Sequence, residues 1–182
     1  MSSPPLAIQV VLILLAVTAA IIDAVKRRIP NWLTLPGVVL GIALNSFLFG
    51  TTGLWSSLEG LGLAMLIYFP LFAVRGMGAG DVKLMAAVGA LVGPANWFGI
   101  LVVTSIFGAA AALISIVARG RFRRTFQNIW LILVSLRMRR APYADNPELD
   151  VGSERAVRLP HGIVVGCGVV GFLVTAAAWA PH

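Results

Sequence analysis

An all-helical membrane bundle is the fold class that this sequence predicts, on three observations. The 182 residues are 59% hydrophobic, against about 45–50% apolar in ordinary soluble domains. The mean hydropathy is +0.93. The apolar residues also gather in runs of roughly 18–22, the length a helix needs to cross a hydrocarbon core about 30 Å thick. Helices satisfy their own backbone hydrogen bonds, which lipid cannot do, so spans of this kind are helical.

Six segments follow in order: residues 5–22, 33–50, 54–74, 82–93, 97–118 and 161–180. The fourth is short, with about 18 Å of helix. The basic residues test the plan. Lys26, Arg27 and Arg28 lie between segments one and two, Arg75 and Lys83 between three and four, and the other nine of the fourteen between five and six. Basic loops stay on the cytoplasmic side, which gives six crossings with both termini on the far side. A re-entrant fourth segment would carry the nine arginines outward, so a short crossing whose cytoplasmic end begins below the membrane surface is the better reading.

Residues 119–160 form a long basic cytoplasmic loop within a single domain spanning 1–182. Its middle, "FQNIWLILVSL", is too short to span and is flanked by "RFRR" and "RMRR". That pattern fits an amphipathic helix lying on an anionic membrane surface, or equally one packed on the bundle. Residues 141–158 read as a linker. Glycine pairs four apart, Gly37/Gly41, Gly89/Gly93 and Gly162/Gly166, suit close helix packing.

Composition also excludes chemistry. Cys167 is the only cysteine, and His161 and His182 are the only histidines. No metal site and no cofactor are expected. The +7 charge lies in the loops between spans, not in a nucleic-acid patch, so no nucleic-acid partner is expected. Residues 1–5 lack the basic region of a signal peptide. There is no GxSxG or HExxH, which disfavours serine and metallo-hydrolases.

Four of the seven acidic residues, Asp145, Glu148, Asp150 and Glu154, lie in the linker, and Glu59 reads as a boundary residue near the outer end of segment three. Asp23 closes the first segment and Asp81 opens the fourth, both on the basic side. A charge at membrane depth is costly and usually has a partner or a task. Each has a plain explanation: Asp23 as a partner of Lys26 or Arg27, Asp81 as a helix N-cap. Two carboxylates at one membrane face are also what acid–base hydrolysis needs, because a close pair shares a proton. Gly76, Gly78 and Gly80, just before Asp81, let the backbone turn sharply and approach a substrate chain; a plain interhelical turn would use them too. The spacing is not GxGxxG, so nucleotide binding is not indicated.

"GAGDVKL" at 78–84 and "DAVKRRIPN" at 23–31 together resemble the type IV prepilin peptidase family of GxGD intramembrane aspartyl proteases. "RLPHGIVVG" at 158–166 is similar to a third element of that family, with His161 where an aromatic residue is usual. The resemblance implies a six-helix bundle in the bacterial inner membrane, with Asp23 and Asp81 as the catalytic pair facing the cytoplasm. The implied substrate is a prepilin or pilin-like protein whose short leader is removed. Substrate contacts would fall on Gly78, Gly80, Lys83, Arg28 and Asn31, although the basic residues near the site serve equally well as anchors of the helix ends. The short chain looks like the branch serving Flp-type pili, without the N-terminal CxxC domain of longer members, and methyl transfer is not carried over. The readings that compete with a peptidase are a proton-coupled carrier and a structural membrane subunit, with the two aspartates as relay or packing groups.

Overall fold

The computed structural model describes residues 3–118, 120, 127, 130, 131, 134 and 161–178. Regular structure among the described residues is helical, in four main runs: α1 (Leu6–Lys26), α2 (Asn31–Ala73), α3 (Ala79–Ala118) and α4 (His161–Ala178). Each is long and apolar enough to cross a membrane. The surface helix expected within 126–136 and the linker at 141–158 fall almost wholly outside the described residues.

The two longest runs are folded back on themselves. Gly50 (φ 62°, ψ −139°) interrupts α2, and Gly93 (φ 72°, ψ 175°) interrupts α3. Positive φ is the conformation that glycine supplies without a steric penalty. Side-chain contacts show the reversal. The Ser57 hydroxyl donates to Gly41 O at 3.3 Å, although sixteen residues of straight helix would separate them by about 24 Å. Trp97 Nε1 donates to Met85 O at 3.0 Å, where a straight helix would hold them about 18 Å apart. α2 is therefore two antiparallel halves, 31–49 and 51–73, and α3 is two halves, 79–92 and 94–118. Pro94 opens the last of these, at a position where its missing N–H costs nothing.

The half 79–92 is the centre of the molecule. Val82 and every residue from Leu84 to Gly93 are buried, so this helix is enclosed on all faces. Small residues let its neighbours approach: Gly41 lies against the Ala90–Leu91 backbone, and Gly60 against the Gly89 carbonyl. α1 packs on α4 through Ala19, Ala20, Gly162 and Gly166. Large apolar side chains point outward instead, including Trp55, Leu66, Ile106 and Phe47, the last 88% exposed. That inversion suits lipid as the outer solvent.

The enclosed helix ends inside the bundle, where its last carbonyls have no partner of their own. Two buried polar side chains supply them. Asn45 Nδ2 donates to Ala90 O (3.1 Å) and Leu91 O (2.9 Å), as well as to Gly41 O (3.0 Å). Ser57 Oγ donates to Ala90 O at 2.7 Å. Asn45→Ala leaves buried acceptors open and should destabilise the protein by about 1–3 kcal/mol. The check is the unfolding midpoint in detergent, and an unchanged midpoint would mean that these carbonyls find other donors.

The helix ends differ from the sequence expectation at two places that matter. α1 runs on past residue 22 to Lys26 and stops where Arg27 takes a left-handed conformation (φ 51°), its N–H bonded to Asp23 O at 2.9 Å. α3 begins at Ala79, not at 82, because the Asp81 and Val82 N–H groups both turn back to Gly78 O, at 3.1 and 3.4 Å. Both aspartates thus sit within helices.

Candidate active site

Asp23 stands on the last turns of α1 and is 7% exposed. Its Oδ2 accepts a hydrogen bond from the Gly162 backbone N–H at 2.7 Å. Gly162 is the second residue of α4, so this N–H has no intrahelical acceptor, and a carboxylate at a helix N-terminus is electrostatically favoured. The residue must be small: a Cβ at position 162 would lie 2.8 Å from Asp23 Cβ and 3.1 Å from Ala19 O. Lys26 and Arg27 are exposed, and among the described residues neither forms an ion pair with Asp23. The plain pairing explanation for Asp23 therefore gives way to a bond from the last helix.

Asp81 is the third residue of α3, not its N-cap. Its carboxylate reaches back to the Gly78 backbone N–H, the reciprocal arm of a capping box. A Cβ at position 78 would lie 3.1 Å from Asp81 Oδ2, so the bare glycine makes room for the carboxylate. Gly80 has a different neighbour. A Cβ there would lie 3.1 Å from Ile29 Cβ and 3.2 Å from Ile29 O. The 78–81 turn is therefore seated on the extended Ile29–Pro30 link between α1 and α2. Proline disfavours helical conformation in the residue before it, and Pro30 itself is extended (ψ 149°).

The two aspartates, 58 residues apart in sequence, come together. Asp81 interacts electrostatically with Asp23 and with His161, and Tyr68, on the second half of α2, lies within reach of the Asp81 charge. Tyr68 is buried and meets Trp97 edge to face, with ring centroids 6.1 Å apart. At the rim, Lys83 Nζ donates to Asn31 Oδ1 at 2.9 Å, which ties the α3 motif to the α2 start. Arg28, three residues before Asn31, is exposed.

Four residues of this constellation escape the sequence reading: Gly162 as a donor, His161 as a neighbour of the pair, Ile29 as the seat of the turn, and Tyr68. The "RLPHGIVVG" element contains the first two and marks His161 as its departure, but nothing in the sequence says which aspartate they face. The arrangement can do acid–base chemistry. Two carboxylates, one bonded by the Gly162 N–H and one beside Gly78, act on each other electrostatically, as an acid–base pair requires.

The sequence profile described as the type IV leader peptidase family matches residues 10–113, a stretch that holds both aspartates. The chain is 34% identical over 114 residues to a prepilin leader peptidase/N-methyltransferase of Neisseria gonorrhoeae, covering 58% of this chain and 39% of that protein. It is 32% identical over 130 residues to the protein of the same name from Escherichia coli K12, covering 65% and 56%, and 31% identical over 118 residues to that of Myxococcus xanthus, covering 61% and 35%. The matched stretch thus spans between 35% and 56% of the length of these relatives. No solved structure matches the chain significantly.

Proposed function

This chain belongs to the type IV leader peptidase family, and we propose that it is a membrane aspartyl endopeptidase that cuts the short leader from type IV prepilins or pilin-like proteins. The observation that carries the proposal is the meeting of Asp23 and Asp81 at one end of the bundle, each carboxylate held by a backbone N–H.

In this reading one carboxylate removes a proton from water, which attacks the peptide carbonyl, while the other protonates the carbonyl oxygen. The roles then reverse: the first carboxylate passes its proton to the leaving amine as the tetrahedral intermediate collapses. No covalent enzyme intermediate forms. The pair works because close carboxylates share one proton, so that an acid and a base are present together.

The halves of α2 and α3 each cross the bilayer in this proposal, giving six crossings with α1 and α4. The basic ends, and with them both aspartates, face the cytoplasm of a bacterial inner membrane, as the loop charges favour. The half 79–92 provides only about 21 Å of helix, less than the hydrocarbon thickness, so Asp81 lies below the membrane surface. Lys83, Asn31 and Arg28 form the polar rim that meets the prepilin, and Gly78 and Gly80 keep the turn low enough for the peptide to pass beside it. The finer assignment to Flp-type pilins rests on the sequence resemblance alone.

Co-expression with candidate prepilins tests the proposal. A pilin shortened by the mass of its leader should accumulate only when this chain is present. Leaders that stay attached across the type IV pilins tried, with the protein present in the membrane, would overturn it.

A further inference from the structure

His161 lies where three observations meet. It is the first residue of α4, next to the Gly162 N–H that holds Asp23. It interacts electrostatically with Asp81. Its Nε2 is buried and has no hydrogen-bond partner among the described residues. Buried polar atoms are nearly always paired, and only one other buried side-chain atom among the described residues lacks a partner, Thr104 Oγ1. Thr104 sits far along α3 against Gly168, in the body of the bundle. His161 Nε2 is the open one at the carboxylates.

An imidazole Nε2 can carry an N–H and so act as a hydrogen-bond donor. A donor that is buried, unpaired and beside the acid–base pair has its natural acceptor in the peptide that the pair attacks. We propose that His161 is a substrate-contacting residue whose Nε2–H donates to a main-chain carbonyl of the peptide being cut. The proposal rests on the reading of the chain as a prepilin peptidase.

The test compares the wild-type protein with H161F, H161Q and H161N, reconstituted in lipid and assayed on a purified prepilin, with unfolding midpoints measured alongside. Phenylalanine keeps a ring and drops the nitrogen. Glutamine places an amide nitrogen near the Nε2 position, whereas the asparagine amide falls short, near Nδ1. H161F and H161N should lose about 10- to 100-fold in kcat/KM, the worth of one buried hydrogen bond, and H161Q should recover to within about threefold of wild type. Should H161F not accumulate, the contrast between glutamine and asparagine decides. Wild-type rates in H161F, or equal losses in H161Q and H161N, would overturn the role of Nε2 and leave the peptidase reading standing. A wild-type protein that cuts no prepilin would overturn both.

Discussion

Asp23→Ala and Asp81→Ala should each lower prepilin cleavage by about 10³-fold or more, with the protein still accumulating in the membrane. General acid–base groups contribute about 10²–10⁴-fold each, and these two are asked to supply acid and base in turn. Groups that act as a unit are not additive, so the double variant should be little slower than either single one. Accumulation is expected because the loss at Asp23 has two opposing parts. The bond from Gly162 disappears, at about 1.5–3 kcal/mol for a bond to a charged group. The burial of a carboxylate 7% exposed disappears with it, and that burial is itself unfavourable. Asp81 is less buried and caps only its own helix start. The measurement is the rate of leader removal per mole of enzyme in membranes. Full activity in either alanine variant would remove that residue from the chemistry.

The largest effect on folding is expected at a glycine crossing. A Cβ at residue 60 would run into the Gly89 carbonyl, and a Cβ at residue 89 into the Gly60 carbonyl. The obstacle is backbone on both sides, so no side chain can swing away and the helices must part. Overpacking of this kind costs about 1–3 kcal/mol or more. Here it also moves the half 79–92, and Asp81 with it. Gly60→Ala and Gly89→Ala should therefore lower both the unfolding midpoint in detergent and the cleavage rate. Gly62 is the internal control. It lies in the same helix with nothing within 4 Å of an added Cβ, so Gly62→Ala should be neutral or gain up to about 1 kcal/mol from helix propensity. Equal behaviour at 60 and 62 would mean that the crossing is looser than the structure has it.

Hydropathy and loop charge were enough to draw the apolar segments, because lipid leaves so few structural choices. They placed breaks near Gly50 and Gly93, where the chain does turn back. They did not place the helix ends at the aspartates, since those depend on single bonds such as Asp81 N–H to Gly78 O, which leave no trace in an apolar run. Gly162 was legible only as a packing glycine. Its role on Asp23 belongs to its amide, which every glycine has, and to a partner 139 residues away. Hydropathy does not single out Asn45 and Ser57, although polar residues inside a span are a signal in themselves; the Ala90 and Leu91 carbonyls that they supply lie on another helix. The GxGD turn was legible as flexible backbone near a carboxylate, but its seat on Ile29 required the fold.

The bond between Gly162 and Asp23 has a consequence in time. A ribosome makes the chain from its N-terminus, so Asp23 is made well before Gly162, its partner 139 residues further on. Until α4 is made and docked, the first carboxylate has no amide to hold it, and Ala19 and Ala20 have no partner helix. A contact of such sequence separation forms late. The proposed acid–base pair is thus incomplete until α4 closes against α1.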